Sequence, residues 1–195
     1  GGSANIATEM ADMGLLASKS NLSNELITLK SPTLMTQVVK ELQLMDYYNV
    51  PVDLRAQDIY GQSPVKVVFD ASKKENIDFV SFKIKVDDED VSLYDFVNKG
   101  VEFKQTVNVK LNDTVSTETP VGHLVVFKTN AEGSEAYKEV NYFRTSVDAA
   151  TNQYTAALSV GLVEKQATVV NLSITDQSIA RATDIIKTVI ILYVH

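Results

Sequence analysis

The 195 residues include no cysteine and no tryptophan. Without cysteine there is no disulfide, no thiolate metal site and no thiol nucleophile. The compartment stays open, because periplasmic and cytosolic proteins alike do without cysteine. Tryptophan, and the broad platform it offers a sugar ring, is missing from a chain with only 8% aromatics. No stretch approaches the ~20 consecutive apolar residues that cross a bilayer. The start, "GGSANIATEM", lacks a basic segment followed by an apolar one, so no signal peptide is read there. An internal fragment of a longer protein begins in the same way. Positive charge is also scarce. Eighteen Lys and Arg stand against 25 Asp and Glu, a net charge of −7 that repels phosphate, so no nucleic-acid partner is expected.

Several catalytic patterns are missing too. No serine sits in G-x-S-x-G. "YGQSPVK" has Gly, Ser and Lys but not the G-x-x-x-x-G-K-[ST] spacing of a phosphate loop. His123 and His195 are the only histidines, and neither has a second metal ligand close in sequence. "DDED" (Asp87 to Asp90) gathers carboxylates but lacks the spacing and turn glycine of a calcium loop, and reads as a hairpin tip in water. Asn21, Asn112 and Asn171 open glycosylation sequons, read as chance matches. A pair of Asp/Glu for glycoside hydrolysis stays open, because its spacing is set in three dimensions. No catalytic, cofactor-binding or metal-binding residue is assigned.

What the chain does contain is periodicity, and hydrophobic content is an ordinary 45%. Residues 1–19 read as a loose arm or short helix. Leu22, Leu26 and Leu29 form one helical stripe; Leu34, Met35, Val38, Val39 and Leu42 form another. Between them, Ser31 is an expected N-cap and Pro32 a first helical residue, where proline's missing N–H costs nothing. Two helices with a corner at Lys30-Ser31 are therefore expected. Tyr47 to Tyr60 is irregular. Alternation then predicts strands at Val65–Phe69, Phe79–Val86, Val91–Phe96, Val101–Leu111, His123–Lys128 and Tyr137–Phe143. Tyr47, Tyr48, Tyr137, Tyr142 and Phe143 are candidates for an aromatic patch, with core packing or partner contact as the competing role. "TSVD" reads as a capping box at Thr145 that opens a helix over residues 146–164. A strand at Ala167–Ile174 follows, then Asp176 as N-cap of a helix over Gln177–Val194. That helix is read from its period despite its β-branched residues. It reaches His195 without a stop signal, as a helix cut short does.

Two distant stretches matter most together. "NELITLKSPTLMTQVVKELQL" resembles the chain-length-determinant (Wzz-type) domain of polysaccharide copolymerases, with Glu25, Leu26, Leu29, Lys30 and Ser31 in the early pattern. "ATVVNLSITDQSIARATDIIKTVIILYV" is similar to the same family's later strand and helix, through Ala182, Ile186 and Tyr193. With "YGQSPVKV", "LNDTVSTETPVGHLVV" and "AALSVGL", the chain most resembles the periplasmic region of capsule-type tyrosine-kinase (Wzc-like) members. The resemblance runs from about Ser20 to Val194 and rests on order and spacing, not on any one motif.

The resemblance implies an inner-membrane protein with two membrane helices and a periplasmic domain between them. It implies a homo-oligomeric ring that works with the polysaccharide polymerase and export machinery, or on the growing polysaccharide itself, to set chain length or export. It implies no catalysis and no cofactor in this region; the family's ATP chemistry lies in a cytoplasmic kinase domain. The expected fold is α+β. A mixed β-sheet with packed helices forms a core from residues 20–60 and 144–195, and an antiparallel β-rich insertion spans 61–143, all as one periplasmic domain. Leu34, Val38 and Leu42 are expected to bury against the Ala167–Ile174 strand. The alternatives are a periplasmic or surface carbohydrate-binding module, which needs an exposed aromatic groove, and a hydrolase with two distant carboxylates.

Overall fold

The computed structural model describes residues 2–9, 19–162 and 169–195. Along the chain come β1 (Gly2–Glu9), α1 (Lys19–Leu29), α2 (Pro32–Leu42), β2 (Asp46–Val52), β3 (Arg55–Asp58) and β4 (Val65–Phe69). Next are β5 (Val80–Asp87), β6 (Asp90–Asn98), β7 (Val101–Phe103), β8 (Val107–Lys110), β9 (Thr117–Thr119) and β10 (Gly122–Lys128). The chain continues with β11 (Glu139–Arg144), α3 (Val147–Ala157), β12 (Leu158–Leu162), β13 (Val169–Asp176) and α4 (Ile179–Val194). The class is α+β. Contacts divide it into two compact units, one of residues 1–45 and 147–195, the other of residues 46–146.

The first unit takes elements from both ends of the chain. Its sheet has the order β1-β13-β12, and both pairings are antiparallel. The sheet expected to be mixed is therefore antiparallel among the described residues: β12 and β13 follow each other as neighbours and reverse direction. Residues 2–9, expected as a loose arm or short helix, form a full strand that pairs from Gly2 opposite Asp176 to Glu9 opposite Val169. Its short, small residues carry little period of their own, and the β13 edge supplies the partners for its N–H and C=O groups. Residues 1 and 10–18 of that expectation lie outside the described residues.

β13 alternates: Val170, Leu172 and Ile174 are buried on one face. α3 and α4 pack against it, and α2 packs on α3 and α4. The expected seating of the Leu34, Val38 and Leu42 stripe on the strand is thus corrected. Two helices already cover the sheet, so α2 buries Leu34, Met35, Val38 and Val39 in a layer above them. Leu42 is only half-buried.

The corner expected at Lys30-Ser31 is there. Ser31 Oγ accepts from Leu34 N–H at 3.1 Å, and Pro32 opens α2. Such a cap is worth about 1 kcal/mol. Gln43 closes the helix in the left-handed region (φ 52°), its N–H turned back to Lys40 O, while Leu44 N–H reaches Val39 O at 2.9 Å. Two capped ends thus frame an eleven-residue helix.

Two helix boundaries differ from expectation. The helix expected over 146–164 stops at Ala157, where Leu158-Ser-Val-Gly-Leu turns into β12 and pairs with β13. Val160 and Gly161 are weak helix formers, and the open β13 edge satisfies their backbone groups instead. Residues 163–168, including the start of the strand expected at Ala167, lie outside the described residues. The cap of α4 is Ser178, whose Oγ accepts from Arg181 N–H at 3.1 Å. Asp176, expected in that role, stands two residues earlier. It accepts from Ser178 N–H at 2.9 Å and from Arg181 Nη1 at 2.8 Å.

The second unit is all β apart from short turns. β3-β2-β11-β5-β6-β7, with β8 also on β6, make one antiparallel sheet among the described residues, and β4-β10-β9 make another. Their inner faces share one core in which Val67, Leu124 and Val126 meet Phe82, Ile84, Val140 and Tyr142. Tyr142 packs on Phe82 at 4.9 Å and on Tyr48 at 5.3 Å between ring centres. Tyr48 Oη accepts from Val67 N–H at 2.8 Å, tying one sheet to the other.

Residues 46–58, assigned from sequence to the core of sheet and packed helices and read from Tyr47 onward as irregular, instead form the β2–β3 hairpin of this sheet. Pro51 hides the pattern. It is tolerated because β11 pairs with β2 only over Asp46–Asn49, so no ladder bond to β11 is lost at Pro51. The single strand expected over Val101–Leu111 is split into β7 and β8, both paired with β6. Between their partner segments β6 carries a bulge, described next.

Candidate functional site

The outer face of the larger sheet is where chemistry gathers. Strand alternation decides which side chains reach it. In β2 and β11, Tyr48, Val50, Val140 and Tyr142 serve the core, leaving Tyr47, Asn49, Asn141 and Phe143 outside. In β5, Val80, Phe82 and Ile84 are buried and Ser81 and Lys83 face out. Register then aligns the outer residues in rows. One row runs Tyr47–Phe143–Ser81–Val97–Glu102, the next Asn49–Asn141–Lys83–Tyr94.

The contacts within the rows are specific. Tyr47 and Phe143 lie 6.0 Å apart between ring centres, tilted by 41°. Asn141 Nδ2 donates to Asn49 Oδ1 at 3.0 Å. Lys83 Nζ and Asp95 Oδ2 are 3.3 Å apart and both open to water, so the pair adds little to stability.

Asp95 owes its place to the bulge. Ser81 faces Val97 while Lys83 faces Tyr94, so β6 fits one extra residue opposite Phe82. Asp95 takes a φ of 51°, and Phe96 turns fully into the core. Bulges re-aim side chains in this way and recur beside binding sites. The result is a depression of about 540 Å³ lined by Asn49, Lys83, Asp95, Phe103, Asn141 and Phe143 among others.

Of the five aromatic residues singled out in sequence, the structure divides the set. Tyr142 is core, and Tyr48 and Tyr137 pack against it. Tyr47 and Phe143 alone stand on the outer face. Sequence reasoning missed Asn49, Lys83, Asp95, Phe103 and Asn141. The odd-numbered polar residues of Tyr47–Val52 were the available signal, masked by Pro51.

A second cluster fastens the loop after β4. Asp70 accepts from Ser116 Oγ at 2.6 Å, from Ser72 Oγ at 2.6 Å and from Ser72 N–H at 3.0 Å. These bonds, Ser116 first, hold its carboxyl down at about 2. Glu75 embraces His123: one oxygen accepts its backbone N–H at 2.8 Å, the other meets Nδ1 at 2.6 Å. The backbone bond above all, then the ring, pulls the Glu75 pKa down. Gly122 makes this approach possible: at φ 127° it has no side chain, and a Cβ there would sit 2.9 Å from the Glu75 carboxylate. His123, which has no second ligand close in sequence, therefore has a partner 48 residues away.

These groups bear on the hydrolase alternative. A general acid needs a raised pKa, and Asp70 and Glu75 have lowered ones. Asp46 is the carboxyl that burial pushes up, opposed by the hydroxyl of Tyr142 and by Arg144. Its side chain is almost buried and occupied by both of those partners. Among the described residues, no three His, Asp or Glu side chains are gathered to hold a metal ion. "DDED" is the tip of the β5–β6 hairpin, with Asp87 opposite Asp90 and Asp88 at φ 53°. Of the sequon asparagines, Asn171 lies in the central strand β13, and Asn112 accepts from Lys128 N–H at 3.0 Å.

Among the described residues no helix is long and apolar enough to cross a membrane. Comparison with known proteins finds no family model and no curated sequence that matches this chain.

Proposed function

We propose that the chain is a non-catalytic periplasmic module of an inner-membrane polysaccharide copolymerase, acting through assembly with further copies to regulate the length or export of a polysaccharide. A cytoplasmic tyrosine kinase would be a separate part of the full protein. The reading begins from the sequence resemblance. The observation that supports it most is the union of the chain's ends: β1 pairs along its whole length with β13, and α2 packs on α3 and α4. One unit is built from residues 1–45 and 147–195, with residues 46–146 inserted between them in sequence, as a core with an insertion is.

The test is reconstitution of the full-length protein in membranes, with oligomer size and polymer length measured together. A closed multi-subunit assembly, and altered polymer lengths when it is disrupted, are expected. Single subunits with normal polymer lengths overturn the reading.

A further inference from the structure

The outer sheet face has a chemistry of its own. Phe143 is 39% exposed and Phe103 38%, an unusual state for two phenylalanines that share one depression. With them lie amides, two lysines and two carboxylates. Lys83 and Lys104 balance Asp95 and Glu102, so the lining offers strong hydrogen bonding without net charge. A ligand for such a surface has three properties. It presents an apolar C–H face to an aromatic ring, hydroxyls that both donate and accept to Asn side chains, and no charge. A nucleic acid or polyanion lacks the third property. An extended peptide adds to a strand edge rather than to a face. A neutral polyhydroxylated chain has all three.

We propose that the outer face of β2, β11, β5, β6 and β7 binds a neutral glycan chain, with Phe143 as the stacking platform and Asn49, Asn141, Lys83 and Asp95 as hydrogen-bonding partners. The bulge shapes the site. Asp95, at φ 51°, puts a carboxylate that is 61% exposed beside Lys83 at the groove, while Phe96 turns into the core. The face crosses five strands, roughly 19 Å at sheet spacing, so the site fits a chain of several rings rather than one. The site rests on its own geometry; only the source of the glycan, a polysaccharide under export, rests on the copolymerase reading.

The test uses the intact chain, labelled for backbone NMR, titrated with neutral linear hexasaccharides of glucose, galactose, mannose and N-acetylglucosamine in both anomeric linkages. A hexauronate is the charged comparison. At least one neutral probe should shift Asn49, Lys83, Asp95, Asn141 and Phe143 together, with a dissociation constant on the order of 0.1–1 mM. Phe143→Ala should weaken it about tenfold. Asp95→Gly should weaken it while leaving the melting temperature equal or higher, since glycine accepts the bulge conformation. The proposal is overturned if no neutral probe moves those signals at concentrations on the order of 10 mM. It is overturned equally if the hexauronate binds better, or if binding survives both substitutions. Binding without any effect of these variants on polymer length leaves the glycan site standing and removes the exported polymer as its source.

Discussion

Asp46 and Arg144 stand opposite each other at one end of the β2–β11 ladder, their side chains joined at 3.0 Å. The chain thus enters and leaves the second unit at two paired residues. Tyr142 also donates its hydroxyl to Asp46, and the Arg144 guanidinium lies 5.7 Å over the Phe69 ring. Burial raises the Asp46 pKa, and these partners oppose the rise. The Asp46–Arg144 pair and a core of their own make residues 46–146 a folding unit. Expressed alone, this segment should unfold in one cooperative transition, as followed by circular dichroism. Arg144→Met should lower its stability by about 3 kcal/mol, because a nearly buried carboxylate loses its countercharge. The same variant should raise the Asp46 pKa further. Stability then increases as pH falls toward the carboxylate range, because the folded state holds the proton more tightly than the unfolded one.

In the first unit, Val38 has no exposed surface and lies in the layer where α2 meets α3 and α4. Val38→Asp places an unpaired charge there. A loss of at least about 4 kcal/mol is expected, enough to unfold the unit. A cooperative thermal transition near that of the parent chain would contradict the packing described.

Arg181 and Asp176 form a buried ion pair at 2.8 Å, with side chains only 2% and 6% exposed. Asp176 also holds Ser178, the cap of α4. Arg181→Met should cost about 3–5 kcal/mol by leaving that carboxylate buried without its countercharge. Combining it with Asp176→Leu should recover much of the loss, since apolar replacement of both partners removes the desolvation penalty. Urea unfolding of the single and double variants measures both.

The loop after β4 carries an acid-sensitive fastening. The Asp70 pKa falls from the ordinary 3.8 to about 2 because Ser116 and Ser72 bond the ionised form. A depressed carboxyl lends stability that is complete above its unfolded pKa and fades as pH falls through its folded one. For Asp70 that window runs from about 4 down to about 2. Ser116→Ala should move the Asp70 midpoint upward in a carboxyl NMR titration. An unchanged midpoint would show that Ser116 is not its principal partner. Glu75→Gln should release His123, seen as a change in its ring signals and in hydrogen exchange of its backbone amide.

Much of this protein could be read from local pattern. Ser31-Pro32 marks the start of α2 because capping and proline's fixed φ act within four residues. The alternation of Phe82, Ile84 and Val86 marks β5, and "DDED" its turn, because a hairpin joins neighbours in sequence. The helix over 179–194 follows from period alone, against the strand preference of its β-branched residues. In each case the deciding forces act over one or two turns of chain.

Other features depend on partners far away. Residues 2–9 become a strand only because β13 leaves an edge open, more than 160 residues later. Leu158 to Leu162 leave the helix for that same strand. Asn49, Lys83, Asp95, Asn141 and Phe143 form one face only when register sets four strands side by side. A single-residue slip in β5 would send Lys83 inward and turn Phe82 and Ile84 out to the other face. The sequence by itself determined which segments turn, alternate and cap, because those choices are made by neighbours. Only the tertiary structure decided which edges were free and which side chains met, because pairing register between distant strands is fixed by the shared core.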